Sequence, residues 1–365
     1  VVTSTSVPPS APRRLGLVAA VLIAATLGGC AVNEEPATSG EGLQGAIVGA
    51  GSSAQAIAQE VWIADFQTQN PGVRIDYDAV GSGAGREQFI DGATDFAASD
   101  AALSDDDLER DFASCAPGSK AIDLPVYVSP LVLIFNLEGV PELGLDAASI
   151  AGIFSGRITA WNDPALVALN PGVALPELPI AAVHRSDPSG TTKNFADYLH
   201  QNVPDVWTDE PADEFPYPGE AAQGNSGIVN AVISGNGTIG YVDASRAGDI
   251  PVASLAVGDS FVDYSAEAAS AILDVSPLAE RPNPFDLVVE VDRTSTAEGV
   301  YPLVLVSYII ACEEYEDPAL SELVRQYIAS TISDEGQQAA AEVAGSAPLS
   351  AEFAARIAEA AASIR

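Results

Sequence analysis

From residue 45 onward the chain switches repeatedly between two hydrophobic periods, and that alternation constrains its fold more than any other feature. GAIVGAG at 45–51 is a short apolar run ending in glycines, and SAQAIAQEVWIADFQ at 53–67 follows with apolar residues three and four apart. VRIDYDAV, GREQFIDG and DFAAS then repeat the change of period. Strand and helix patterns joined by short connections specify βαβ units around a largely parallel sheet. The run LPVYVSPLVLIFNL at 124–137 breaks the rhythm, because it is long enough to leave one sheet and enter another. A second α/β stretch follows it through IAGIFSGRITAWNDPALVALN, IAAVHRSDPSGTTKNFADYL and GIVNAVISGNGTIGYVDAS. After about residue 253 come strand-like FDLVVEVD and YPLVLVSYII, then two helices, ALSELVRQYIAS and SAEFAARIAEAAASIR. In the last of these Phe353, Ile357, Ala360 and Ile364 share a face, the spacing of a helix docked on its own domain. A chain of 365 residues is long for one core. Two α/β lobes are therefore expected, with 45–128 and 254–365 in the first, 129–253 in the second, and more than one crossing between them.

The start of the chain follows different rules. Arg13 and Arg14 precede the apolar run LGLVAAVLIAATL, which is too short for a mature membrane span and has the flanks of an export signal over residues 1–29. The LGGC ending resembles the lipobox of bacterial lipoproteins, which makes Cys30 the expected lipidated residue and the membrane anchor. A twin-arginine signal is the other reading of Arg13 and Arg14, although the residues after them match it poorly. Residues 30–44, small, polar and acidic without periodicity, form the expected tether. An exported chain also changes the reading of the other cysteines. Cys115 and Cys312 are an even pair in an oxidising compartment, so a disulfide is expected, with two buried thiols as the alternative.

The formal charge is −36, and removing residues 1–29 takes away two arginines and no acid, which makes it −38. Such a field excludes nucleic acid and anionic lipid as partners bound through overall charge. Only Lys120 and Lys193 are lysines.

Three glycine turns feed helices, and they point to an anion. Gly49-Ala50-Gly51-Ser52-Ser53-Ala54 fits the dinucleotide fingerprint, with Asp76 at a suitable distance beyond it. Export, the alanine in place of the third glycine and the two hydroxyls argue against that reading. A helix start, however, offers unpaired N–H groups and a positive dipole end to any small anion. VGSGAGREQFI puts Ser82 before a second helix, and RSDPSGTTKNF puts Ser189, Gly190 and Thr191 before a third. Each start carries a glycine for close approach and a hydroxyl at the expected cap. Arg185 lies four residues before Ser189, a planar partner for an oxyanion, and Asp187 is placed to orient it. Asp100 is the odd member, since a carboxylate only accepts hydrogen bonds. It favours an anion that still carries a proton, as phosphate does and sulfate does not. Its structural alternative is a turn residue ahead of Ser104, itself a good N-cap.

These residues, in this order, resemble the substrate-binding lipoprotein of the bacterial high-affinity phosphate (Pst) ABC transporter, the PstS family. The resemblance is densest in GVRIDYDAVGSGAGREQFIDGATDFAASDAALS, in IAGIFSGRITAWNDPALVALNPGVALPELPIAAVHRSDPSGTTKNFADYL and in GNSGIVNAVISGNGTIGYVD. It implies a two-lobed periplasmic-binding-protein-like fold of type II, each lobe a mixed sheet flanked by helices, with the ligand cleft between lobes. Position by position, it implies Ser53, the backbone N–H of Ala54, Ser82 and Asp100 from the first lobe, and Arg185, Ser189, Gly190 and Thr191 from the second. Asp187 matches an Arg-orienting acid. The family usually carries GAGATFPAP at the first turn, whereas this chain has GAGSSAQAI, so Ser53 stands for a threonine and Ala54 for a phenylalanine. The implied function is capture of inorganic phosphate outside the membrane by a monomer that needs no cofactor, followed by delivery to permease subunits. The alternatives are an exported phosphatase with Ser189 or Ser53 as nucleophile, or a binder of another tetrahedral oxyanion. The only histidines, His184 and His200, sit in no ligand-spaced cluster.

Overall fold

The computed structural model describes residues 42–365, which form one compact unit. The expected signal segment, Cys30 and the tether up to residue 41 lie outside the described residues. The first βαβ units are β1 (Gly45–Gly51), α1 (Ala56–Gln69), β2 (Val73–Asp78), α2 (Ser82–Ile90) and β3 (Phe96–Ser99), followed by the short α3 (Asp105–Glu109). The long strand β4 (Ala121–Asn136) leads to β5 (Gly144–Leu145), α4 (Ala147–Phe154) and α5 (Pro164–Leu169). Next come β6 (Ala181–Arg185), α6 (Gly190–Asn202), β7 (Glu220–Ala222), α7 (Gly224–Ser234) and β8 (Thr238–Asp243). The return comprises β9 (Ser254–Val257), β10 (Ser260–Val262), α8 (Ala266–Val275), β11 (Val304–Cys312), α9 (Pro318–Thr331), α10 (Asp334–Ala344) and α11 (Ala351–Ala362).

Eight strands form one mixed sheet in the order β2-β1-β3-β11-β4-β8-β6-β7. Strand β4 carries the connection between its halves. Residues 121–130 pair antiparallel with β11, and from Leu131 onward β4 pairs antiparallel with β8. Pro130 stands at the change of partner, where a residue with no N–H ends one ladder at little cost. Its burial, which is complete up to Phe135, explains why the sequence reads as an unbroken apolar run rather than an alternating one. A second irregularity falls between Ser307 and Tyr308 of β11, where the register against β4 shifts beside Pro125. Bulges of this kind re-aim a side chain. Here the extra residue is Val126 of β4, and Ser307 lies at the shift.

Residue 254, expected to return the chain to the first lobe, opens β9. That strand pairs with β5 through Ser254 and Leu255, so the 254 boundary falls within a small sheet built on the 129–253 segment. FDLVVEVD at 285–292 is not a strand. A single antiparallel bridge joins Val289 to Leu278, but the N–H groups of Leu287, Val289 and Asp292 go to the Asp123 carbonyl, the Tyr308 hydroxyl and the Ser276 hydroxyl, so the pairing does not extend into a ladder. The docked face of α11 is present, with Ile357 and Ala360 fully buried, Phe353 half-buried and Ile364 buried just past the helix end. Cys115 and Cys312 form a disulfide that closes a separation of 197 residues and ties the end of β11 to the loop after α3. Among the described residues no helix is long and apolar enough to cross a membrane.

Candidate functional site

Asp100 follows β3 directly and is 2% exposed. Its Oδ1 accepts hydrogen bonds from the hydroxyls of Ser52 and of Ser307, the latter at 2.6 Å. Its Oδ2 accepts from Thr191 Oγ1 at 2.9 Å, across from the first turn of α6. Burying a carboxylate is costly unless donors replace its water, and three hydroxyls do so here. The Asp100 N–H donates to Ser82 Oγ at 3.1 Å, and its carbonyl accepts from Asn194 Nδ2 at 2.6 Å. Gly190 closes the approach from the other side. A Cβ there would lie 2.9 Å from the Asp100 carbonyl carbon and 2.8 Å from Ser82 Oγ, so only glycine lets α6 begin so close to β3.

Arg185 ends β6 with its side chain buried. Its Nε donates to Asp187 Oδ1 at 2.8 Å and its Nη2 to Asp187 Oδ2, a two-pronged pairing that leaves Nη1 directed toward Thr191 Oγ1 at 3.4 Å. Gly224, in the left-handed region at φ 64°, brings its N–H to Asp187 Oδ1 at 3.0 Å. Burial pushes the Asp187 carboxyl up, but the hydrogen bonds and charge of Arg185, with that N–H, outweigh it and hold the group below the usual carboxylate range. Asp187 therefore stays charged and keeps Arg185 aimed.

The expected residues are brought together, with differences in detail. Ser82, Asp100, Arg185, Gly190 and Thr191 meet at one place between the halves of the sheet, and Ser53 lies beside them, bonded to Asn225 across the same boundary. Of the three starts, a hydroxyl caps only α6, where Ser189 Oγ accepts from the Thr192 N–H at 3.2 Å. Helix α1 begins at Ala56 with Gln55 at its cap position and no side-chain bond there, while Ser82 is the first residue of α2 rather than its cap. Gly81 takes that cap position at φ 101°, a conformation open to glycine. The Ala54 N–H, expected to face the anion, donates to Ser52 Oγ at 3.1 Å, as does the Gln55 N–H. Ser104 caps α3 with a capping box to Asp107, which leaves Asp100 outside that helix. His184 stacks on Phe215 with ring centroids 4.3 Å apart, and His200 faces Glu210.

Sequence reasoning missed several contributors. Ser52 was visible inside the first turn, and its position beside Ser53 was the only clue. Ser307 and Asn225 had no local signal, since each reaches the site from a separate segment. Arg86 also went unread. From α2 it donates to Ser99 Oγ at 2.8 Å and pairs with Asp213, whose carbonyl accepts the Ser189 N–H at 3.0 Å. That pair links the two halves at the side of the cleft, alongside a bond from the Gly83 N–H to the Pro188 carbonyl.

Two sheet halves that share one crossing strand and oppose their helix starts define the class of two-lobed binding proteins. Comparison with known proteins gives the family. The PBP superfamily domain matches residues 32–335. Phosphate-binding protein PstS 2 of Mycobacterium tuberculosis (strain ATCC 25618 / H37Rv) is 35% identical over 317 residues, 85% of each chain. Phosphate-binding protein PstS 3 of Mycobacterium leprae is 37% identical over 289 residues, 77% of each chain. The solved structure of the high affinity periplasmic phosphate-binding protein PfluDING, bound with phosphate, superposes with a TM-score of 0.69 at 24% identity, covering 86% of this chain and 93% of that one. Phosphate binding protein from Stenotrophomonas maltophilia gives 0.66 at 20% identity, with the same coverage. The chain belongs to the PBP superfamily and, within it, to the PstS family of phosphate-binding proteins.

Proposed function

We propose that this protein captures inorganic phosphate outside the cytoplasm and delivers it to the permease of an ABC transporter. The observation that carries this reading is Asp100, a buried acceptor that takes the Thr191 hydroxyl proton, with the Ser82 hydroxyl on its backbone N–H and the aimed Arg185 reaching Thr191 beside it. Most of the site offers protons and one group takes one. That combination suits a tetrahedral dianion that retains a single hydrogen. Ser53, Ser82 and Asp100 serve from the first lobe, Arg185, Ser189, Gly190 and Thr191 from the second, with Asp187 holding the arginine. The Ala54 N–H joins them only if it turns from Ser52. The first lobe is built on 45–128 and the C-terminal return, the second on 129–253 with β9 and β10 attached. Cys30 anchors a monomer to the outer face of the cell membrane through its lipid, and residues 31–44 let the folded body reach the permease.

Binding replaces the hydration of the anion by fixed N–H and O–H groups when the lobes close. A micromolar site corresponds to about 8 kcal/mol. Charge-assisted contacts of about 1.5–3 kcal/mol each exceed that in sum, so most of their energy offsets desolvation and closure, which lets the ligand leave when the cleft reopens. Titration calorimetry of residues 31–365 with phosphate, arsenate, sulfate and molybdate tests the proposal. Tight binding of phosphate and arsenate without heat from sulfate is the expected result. Equal affinity for sulfate, or turnover of a phosphomonoester that depends on Ser189, would overturn it.

A further inference from the structure

Asn225, the second residue of α7, makes a side-chain contact between the lobes that none of the recognised turns includes. We infer that Asn225 is a positioning residue that fixes the Ser53 hydroxyl as a hydrogen-bond donor toward the bound oxyanion, an assignment that rests on the phosphate-binding reading above.

Asn225 is fully buried, and its Oδ1 accepts the backbone N–H of Asp243 at 3.1 Å. A backbone N–H can only donate, so the carbonyl end of the amide must face Asp243 and the Nδ2 end must face Ser53. Nδ2 donates to Ser53 Oγ at 3.0 Å, and the Asn225 backbone N–H points at the same oxygen at 3.3 Å. A serine hydroxyl has two lone pairs and one proton. With both lone pairs accepting from Asn225, Ser53 has only its proton left to give, which is the polarity an anion needs.

The placement gives the contact a second consequence. Ser53 belongs to the turn after β1 and Asn225 to the first turn of α7, so the bond links the lobes and forms only when they meet. Gly224 next to it supplies the N–H on Asp187. One chain turn thus sets both the acid behind Arg185 and the hydroxyl of Ser53. A fourth helix start contributes to the site through its neighbours and not by touching the anion.

The test is a double-mutant cycle read by phosphate calorimetry on residues 31–365, using wild type, S53A, N225A, N225D and the two doubles, with thermal melts alongside. N225A should weaken binding roughly tenfold, the loss expected when one buried hydroxyl is no longer held. N225D keeps an oxygen for the Asp243 N–H but replaces the amide donor with an acceptor, which claims the Ser53 proton. Its loss should be larger, on the order of a hundredfold. Combined with S53A, N225D should lose far less, because only the added charge remains to act. If N225D weakens binding by the same factor with and without S53A, the assignment fails. Should that variant not fold, the N225A cycle decides in the same way, since additivity with S53A sinks the inference and strong coupling supports it. Wild type that does not bind phosphate refutes the phosphate reading itself. Wild type that binds normally, beside additive variants, refutes only the role of Asn225.

Discussion

Replacing Asp100 by asparagine isolates the one acceptor in the site. Two hydroxyls, those of Ser52 and Ser307, donate to Oδ1, so an asparagine keeps its carbonyl oxygen there and turns its NH₂ to the place of Oδ2 beside Thr191. The group facing the ligand thereby changes from acceptor to donor while the shape is conserved. Monohydrogen phosphate loses a partner for its proton, a charge-assisted bond of about 1.5–3 kcal/mol, whereas sulfate gains a donor worth about 1 kcal/mol. Both are dianions, so relief from the repulsion of the Asp100 charge helps them alike and cancels in the comparison. The preference for phosphate over sulfate should therefore narrow by about 2.5–4 kcal/mol, on the order of 100- to 1000-fold. The absolute phosphate affinity should move less than the ratio, because the lost hydrogen bond and the relieved repulsion oppose each other. Calorimetry with both anions, above the second ionisation of phosphate and at fixed ionic strength, measures the ratio. A selectivity unchanged within about threefold would show that Asp100 does not read the proton, and the reasoning from its position would be refuted.

Two other perturbations separate closure from folding. Gly190→Ala puts a methyl 2.9 Å from the Asp100 carbonyl carbon and the Ala101 nitrogen, both backbone atoms that cannot yield easily. Phosphate affinity should fall at least about a hundredfold, while the melting temperature without phosphate stays level or rises, since alanine favours the first turn of α6; normal affinity would mean that the lobes do not meet as described. Asp243, opposite Leu131 where β4 changes partner, is buried with Oδ2 unpartnered among the described residues, and burial lifts its carboxyl to about 6. Unfolded aspartate titrates near 3.9, so the folded state prefers the protonated form. Its stabilising contribution is full below about pH 4 and is lost as pH rises through about 6, costing at most about 3 kcal/mol at neutral pH. Asp243→Asn should therefore stabilise the protein at pH 7 and give almost no change near pH 4 in denaturant titrations; an equal gain at both would count against a buried carboxylate there.

The limits of reading this chain from its sequence follow from where its hydrogen bonds go. The alternation of periods was enough for the two lobes, and the unbroken apolar run with its two prolines was enough for β4, because both are local consequences of burial. The hydroxyls of Ser53, Ser82, Ser189 and Thr191 were equally visible as candidates, since each sits in a glycine turn. What the turns could not reveal is how each hydroxyl divides its valences. Ser53 looks like a free donor in the sequence, yet Asn225, 172 residues away, is what leaves it only a proton to give. Ser52 reads as a neutral neighbour, but it gathers two N–H groups at the start of α1 and donates its own hydrogen bond to Asp100. Ser307 reaches the same carboxylate from 207 residues away, at a register shift against β4 that no alternation pattern announces. The strand expected at 285–292 failed for a related reason, because β-like residues form a strand only when neighbouring backbone can pair along them, and there the pairing stops at one bridge between Val289 and Leu278, flanked by side-chain partners. Local pattern therefore identifies which groups can meet an anion. Which of them remain free to do so is decided by partners far along the chain.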